Sequence, residues 1–227
     1  MDSISGVGVL DKAVLVLRTL RANGPLGLAE LQTATELPRA TAHRLAVALQ
    51  EHGFIRRDGA GRFCLGFELI AMGRAAAEAF PLGELARPAL QTLRDDTAES
   101  VQLFVREGDQ RRCVVSLQSP HGLRWIVPEG AQLPLGVGSA GRILVAAVSA
   151  RAGKGHWIES VEERELGVAS VSAAVHGRDG LVVAAVCLSG PIERLTRQPG
   201  KRFGSAVVAA ADAVSRALVR SKLGTNT

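Results

Sequence analysis

The sequence predicts an α+β fold in two units, and three observations predict it. Apolar positions before residue 52 recur at helical spacing and run into a short hairpin. Positions between 100 and 189 alternate apolar and polar with period two. Between the halves, an Ala- and Leu-rich helical stretch stops at Pro81. With 227 residues, 47% of them hydrophobic, the chain can bury two cores.

Leu10, Ala13, Val14 and Leu17 repeat at helical spacing, and Asn23-Gly24-Pro25 ends that first element. Leu26 to Ala34 reads as a short helix with Leu28 and Leu31 inward, followed by the turn Thr35-Glu36-Leu37. Pro38 then pre-sets a helix over Arg39 to Glu51, because its missing N–H costs nothing at a first turn. On that helix Ala42, Leu45, Ala46 and Leu49 share one face, and Ala40, His43, Arg44 and Val47 point outward. A slim, partly cationic outer face suits entry into a groove about 12 Å wide. Gly53 to Gly66 reads as a hairpin about the turn signal Asp58-Gly59, with Arg56, Arg57 and Arg62 placed to lie along phosphates. An ordinary surface helix with one basic side explains the helix by itself equally well; the flanking helix and hairpin favour a helix-turn-helix with a wing.

The charge agrees with that placement. The net charge is +5. Between Arg39 and Arg62, five Arg face Glu51 and Asp58, a local +3, whereas Lys12, Arg18 and Arg21 are outnumbered by Asp2, Asp11, Glu30 and Glu36 before it.

Phe67 to Phe80 reads as a linker helix, apolar enough for burial against a partner subunit or against its own domain. Leu82 to Asp96 follows as a helix. Strands are expected over Ser100 to Arg106, Arg111 to Gln118, Leu123 to Val127, Val168 to Val175 and Leu181 to Ser189, with helices over Ser139 to Val148 and Lys201 to Arg220. Helices gathered on one face of an antiparallel sheet are the expected layering. The domains are therefore 1–66, a winged helix-turn-helix; 67–81, a linker helix; and 82–227, a sheet domain.

Free N–H groups at Ser139-Ala140-Gly141, after the irregular loop Pro128 to Gly138, suit a carboxylate or phosphate. Ser170 shares a strand face with Ser172, and Cys187 with Ser189, which fits a pocket of apolar walls with a few polar groups. Packing residues with local hydrogen bonds would show the same pattern. Cys64, Cys113 and Cys187 are odd in number and lack CxxC spacing, and the five histidines are scattered, so no disulfide framework, metal site or cofactor is expected. No apolar run reaches the ~18 residues of a membrane span, and the expectation is a cytoplasmic protein.

Leu28-Ala29-Glu30-Leu31, Leu37 to Leu45 and Gly59 to Gly66 resemble the winged helix-turn-helix of the IclR family of bacterial transcription regulators. Gly27 stands where that family usually has a capping Thr or Ser, and Glu36 where a turn Gly is common. Arg87 to Leu90, Glu99 to Leu103, Leu133 to Leu135, Ser139 to Arg142, Glu163 to Ser170 and Leu188 to Pro191 resemble the same family's effector-binding domain, which is similar to GAF and PAS-like sensors. Arg142 replaces a usual Lys, and the stretch 148–155 is shorter than in relatives by about one helix and its loop. Ser5 to Ala13 and Gly190 to Arg197 look like a subgroup linked to amino-acid metabolism.

The resemblance implies a regulator, repressor or activator, acting as a homodimer or dimer of dimers on a near-palindromic double-stranded operator. The DNA-facing set is Gln32, Pro38, Arg39, Ala40, Thr41, His43, Arg44, Arg57 and Arg62. It also implies an effector pocket at Ser139, Ala140, Ser160, Ser170, Cys187 and Ser189, with Trp125, Leu133 and Val168 as apolar wall, for a small organic acid or amino-acid-related metabolite. Two alternatives compete with it. One is a constitutive DNA-binding protein with a degenerate sensor; the other is an enzyme with Cys113 or Cys187 as nucleophile and His156 or His176 as base. Glu162, Glu163 and Glu165 read as a solvated edge, and no catalytic residue is assigned.

Overall fold

The computed structural model describes residues 7–79, 81–146 and 156–221. The chain divides into two units, Met1–Ala79 and Phe80–Thr227. Residues 148–155, the stretch expected to be shorter than in relatives, lie outside the described residues.

In the first unit, α1 (Gly8–Asn23) is stopped by Gly24 at φ 76°. Its buried face is Val16, Thr19 and Leu20. Leu10, expected on that face, is 53% exposed. Two apolar stripes run along this helix, and the one in register with Leu31 and Phe63 is the one that reaches the core. Helix α2 (Leu28–Thr35) solves its missing cap through Glu30, whose Oε2 accepts the Gly27 N–H at 2.7 Å. Glu36 follows at φ 55°, so the turn does need the left-handed conformation that a glycine supplies without strain. Helix α3 (Arg39–Glu51) begins after Pro38 and buries Ala42 and Ala46 on a core of Val16, Leu20, Leu31, Leu37, Ile55 and Phe63.

Strands β1 (Ile55–Arg57) and β2 (Phe63–Leu65) pair antiparallel, and Leu26 adds a third rung to Phe63 through N–H···O bonds of 2.9 and 2.8 Å. The turn is longer than an Asp-Gly pair. Asp58 Oδ1 accepts the N–H groups of Ala60 and Arg62, and Gly61, not Gly59, takes positive φ at 74°. At the hairpin base, a Cβ on Gly66 would meet the Gly53 carbonyl oxygen at 2.0 Å, so only glycine closes it. Helix α4 (Glu68–Ala79) buries none of its residues fully: Leu69 is half-buried, and Phe67 and Ile70 are 70% and 60% exposed.

The second unit opens with α5 (Leu82–Thr97), followed by β3 (Ser100–Glu107), β4 (Gln110–Leu117), β5 (Gln132–Pro134), α6 (Gly138–Ala146), β6 (Trp157–Val161), β7 (Val168–His176), β8 (Val182–Pro191), α7 (Ile192–Leu195) and α8 (Pro199–Arg220). The sheet order is β5-β4-β3-β8-β7-β6, with every neighbour antiparallel.

Period-two alternation sends Val101, Leu103, Val171, Ala173, Val186 and Leu188 to a core with α5 and α8 residues such as Leu90, Val207 and Val214. The alternate positions, Phe104, Cys113, Ala174, Ala185 and Cys187, face Ala140, Ile143 and Leu144 of α6. Helices therefore cover both faces, not one: α6 was the exception, and its neighbours on the sheet are the small residues that leave room beside it. Leu123 to Val127 is not a strand. Trp125 and Val127 turn inward toward α6 without a ladder partner, and the third rung on β4 comes from β5 instead. β6 was not anticipated. Its Trp157 lies on Gly200 and Gly204 of α8, where added Cβ atoms would fall 2.0 and 2.5 Å from the indole.

Candidate functional site

Two groups of side chains stand apart from the packing. The first is on α3. Burying Ala42 and Ala46 leaves Pro38, Arg39, Ala40, His43 and Arg44 exposed, with Thr41 and, on α2, Gln32 half-buried. Among the described residues Arg39 and Arg44 have no hydrogen-bond or ion-pair partner, and both are exposed, so their donors face solvent.

The wing arginines differ. Arg57 Nη1 donates to Gly61 O at 2.7 Å, and its guanidinium lies 4.1 Å from the Phe63 ring centroid. Arg62 Nη2 sits 2.8 Å from Asp58 Oδ2, and Nε donates to the same oxygen at 2.9 Å. Hydrogen bonds from the Arg62 backbone and then its side chain hold the Asp58 carboxyl below its usual range. Both arginines are exposed, but they also hold the turn in shape.

The second group surrounds a cavity on the α6 face of the sheet, with a volume of about 40 Å³. Register builds it. Ser160 of β6 pairs Ser170 of β7, Ser170 pairs Ser189 of β8, and Ser172 pairs Cys187. Above them Ser139, at the start of α6, places its Oγ 2.8 Å from both Ser170 Oγ and Ser172 Oγ. Ser189 Oγ donates to Gln102 Oε1 at 2.9 Å. Ala140, Val168 and Trp125 complete the expected set, so eight of the nine expected residues line one cavity. Leu133 does not; it is half-buried in the α6-side core from β5, and Phe104 and Val127 are the wall in its place.

Eight lining residues were not anticipated, and Arg111, Arg164, Glu163 and Gln102 among them carry polar groups that bear on the chemistry. Arg111, on β4, is 3% exposed, and its Nη1 donates to the carbonyls of Pro134 and Val137, the latter at 2.6 Å. It reaches these because Gly141 has no side chain: a Cβ there would lie 2.5 Å from Nη1. Arg164 stacks 4.9 Å from the Trp125 ring centroid. Glu163, read as a solvated edge, is exposed and also accepts the Gly138 N–H at 3.1 Å and pairs Arg142 Nη2 at 3.0 Å. Gln102 is 1% exposed, a polar side chain in the middle of β3. The legible signal for Arg111 and Gln102 was parity: Arg111 alternates in step with Cys113, and Gln102 with Phe104.

The polar atoms of this cavity are lopsided. Gln102 Nε2, Arg111 Nε and Trp125 Nε1 are buried donors without a partner among the described residues. Burial lowers the pKa of both Arg111 and Arg164 from the ordinary arginine value. Burial also pushes the Cys113 thiol up to about 12 and raises Cys187, so neither supplies an anion or a nucleophile. Their sulfur partners are the carbonyls of Val115 and Val127 for Cys113, and Ser139 and the Leu188 carbonyl for Cys187; no histidine is among them.

The chain matches two family profiles, the IclR helix-turn-helix domain over residues 9–59 and the bacterial transcriptional regulator IclR C-terminal domain over residues 74–160 and 151–216. It is 26% identical to the transcriptional repressor IclR of Escherichia coli over 230 residues, covering 86% of this chain and 84% of that protein. It is 30% identical to the glycerol operon regulatory protein of Streptomyces coelicolor over 244 residues, 92% of this chain and 95% of that one. Its fold is similar to that of the Thermotoga maritima IclR crystal structure, with a TM-score of 0.74, 20% identity, and 93% and 98% of the two chains covered. An IclR homolog from Microbacterium hydrocarbonoxydans, crystallised with 4-hydroxybenzoate, aligns with a TM-score of 0.78, 19% identity, and 92% and 98% coverage.

Proposed function

The chain belongs to the IclR family of DNA-binding transcriptional regulators, and from that premise we propose that its second unit binds a small-molecule effector which modulates operator binding by the first. The convergence of Ser139, Ser160, Ser170, Cys187 and Ser189 from four separate elements on one cavity carries this reading. α3 enters the major groove of a near-palindromic operator, and two-fold pairing of homodimers, or of dimers of dimers, sets the half-site spacing. Arg39 and Thr41 hold phosphates or the first base edge, Arg44 reaches a base, and Arg57 and Arg62 lie along the backbone with Gln32, Pro38, Ala40 and His43 beside them.

Arg39 and Arg44, exposed on the outer face of α3 and without partners among the described residues, support that assignment, since donors free of the protein are the ones available to DNA. An apolar, exposed α4 supports subunit pairing. The effector is a small organic acid or amino-acid-related metabolite, and the regulated genes belong to that metabolism. Among the described residues no helix is long and apolar enough to cross a membrane.

Footprinting on DNA upstream of the chain's own gene and its neighbours tests the reading. A protected pair of half-sites one or two helical turns apart, altered by a metabolite of the adjacent genes, is the expected result. No protected site in any of these fragments overturns it. A second reading, constitutive DNA binding with a sensor that takes no ligand, draws on the tightness of a cavity of about 40 Å³. A protected site that no metabolite alters would favour it.

A further inference from the structure

The cavity's charges are out of balance. Arg111 and Arg164 both line it, and neither is in an ion pair. Of the two lining carboxylates, Glu163 is already committed to Arg142 and the Gly138 N–H, and Glu165, exposed at the rim, acts on Arg164 through its charge without forming an ion pair. The thiols within reach are held neutral by burial. Arg111 also lies against the first turn of α6, where the helix presents its positive end, so two like fields meet at one place.

A buried cation costs free energy unless an anion or a set of acceptors answers it. Arg111 answers part of its need with two carbonyls, yet its Nε stays empty-handed, as do Gln102 Nε2 and Trp125 Nε1. Arg164 stacks on the Trp125 ring and has no hydrogen-bond acceptor among the described residues. Every buried unmet demand in the cavity is therefore for an acceptor, and two positive charges face it, Arg111 buried and Arg164 half-exposed at its mouth. A single carboxylate satisfies one guanidinium fork and leaves the other.

We propose that the effector is a compact dianion, a short dicarboxylate or a phosphoryl compound, held between Arg111 and Arg164, with Arg164 the residue that selects dianions over monoanions. This rests on the cavity being the effector site. The serines at Ser139, Ser170 and Ser189 accept or donate as required and do not select charge. Specificity for two negative groups falls to the guanidiniums, Arg111 buried in the cavity and Arg164 half-exposed at its mouth, because a singly charged ligand pairs with only one of them.

Thermal unfolding and calorimetric titration of the full chain with malonate, succinate, inorganic phosphate, acetate, pyruvate and glycerol test this. Malonate or succinate, or phosphate if the natural ligand is phosphorylated, raises the Tm and binds on the order of tenfold or more tighter than acetate or pyruvate, as one charge-assisted pair predicts. Arg164→Gln abolishes that preference while leaving weak monoanion binding, and Arg164→Lys, which keeps the charge, retains much of it. Arg164 is half-exposed, so both variants are expected to fold; unchanged circular dichroism checks this. Acetate, pyruvate or glycerol binding as tightly as the dianions overturns the inference and leaves the effector reading standing. A dianion preference that survives Arg164→Gln overturns the role of Arg164. No stabilisation by any of the six overturns the dianion class, and if a wider metabolite screen is equally silent, the effector reading falls with it.

Discussion

Glu99 and Arg194 form a two-pronged ion pair, Oε1 to Nε at 2.5 Å and Oε2 to Nη2 at 2.9 Å, that ties the start of β3 to the short helix α7. Glu99 is 2% exposed, and Gly190 leaves it room, since a Cβ there would lie 2.5 Å from Oε2. The pair raises the Arg194 pKa above its usual value. Arg194→Ala strands a buried carboxylate and is expected to cost about 3 kcal/mol, the lower end for breaking such a pair because the arginine is partly exposed. Urea unfolding of the two proteins measures it; a loss under about 0.5 kcal/mol would place the pair with ordinary surface bridges.

Arg44→Ala is expected to cost about 1 to 3 kcal/mol in operator binding and to flatten the difference between matched and scrambled sites. Arg62→Ala removes backbone grip and one arm of the turn, so it weakens both DNAs alike. Gel shifts with the two operators separate the cases, and identical behaviour of the two variants would contradict the assignment of α3 to the groove.

Asp58 gives the wing an acid limit. Its folded pKa lies below the usual 3.8, so its contribution is complete above that value and is lost as the pH falls through the lowered one. Amide exchange or NMR of Ala60 and Arg62 is expected to show the turn ordered at pH 5 and loosening below about 3.8. Asp58→Asn should loosen it at neutral pH as well.

Cys113 and Cys187 are expected to resist alkylation in the native protein at pH 8, because burial holds both as thiols, Cys113 with a pKa of about 12. Iodoacetamide labelling followed by mass spectrometry reads this. Rapid native modification of either would revive the nucleophile alternative.

Gly200→Ala places a methyl carbon inside the Trp157 ring, and overpacking of this kind costs about 1 to 3 kcal/mol. Leu90→Ala, in the larger core, is expected to cost about 2 to 5 kcal/mol by leaving a void. Chemical denaturation of both variants provides the comparison, and Gly200→Ala unfolding like the parent would show that the ring swings aside freely.

What could be read in the sequence was what periodicity encodes. Ala42 and Ala46 declared the buried side of α3, and Ser170 with Ser172, like Cys187 with Ser189, declared a shared strand face, because each pattern has one period and one interpretation. Leu10 failed because α1 carries two apolar stripes, and only tertiary register chooses between them. Arg111, Gln102 and Glu163 were missed for a different reason. Charged and amide side chains in a strand or loop are usually solvated; Arg111 and Gln102 are turned inward by partners far away in the chain, the Pro134 and Val137 carbonyls and Ser189, and Glu163 stays exposed while reaching the start of α6. The β6 strand was hidden because Trp157 to Val161 has mixed composition, and its anchor is a pair of glycines some forty residues later.

The stack of Arg164 on Trp125 has an optical consequence. The chain has two tryptophans and no tyrosine, so ultraviolet emission comes from Trp125 and Trp157 alone. With Trp157 replaced by Phe, the remaining indole would be the one lying beneath a cation at the mouth of the cavity, and any molecule that draws that cation away changes the light it gives out.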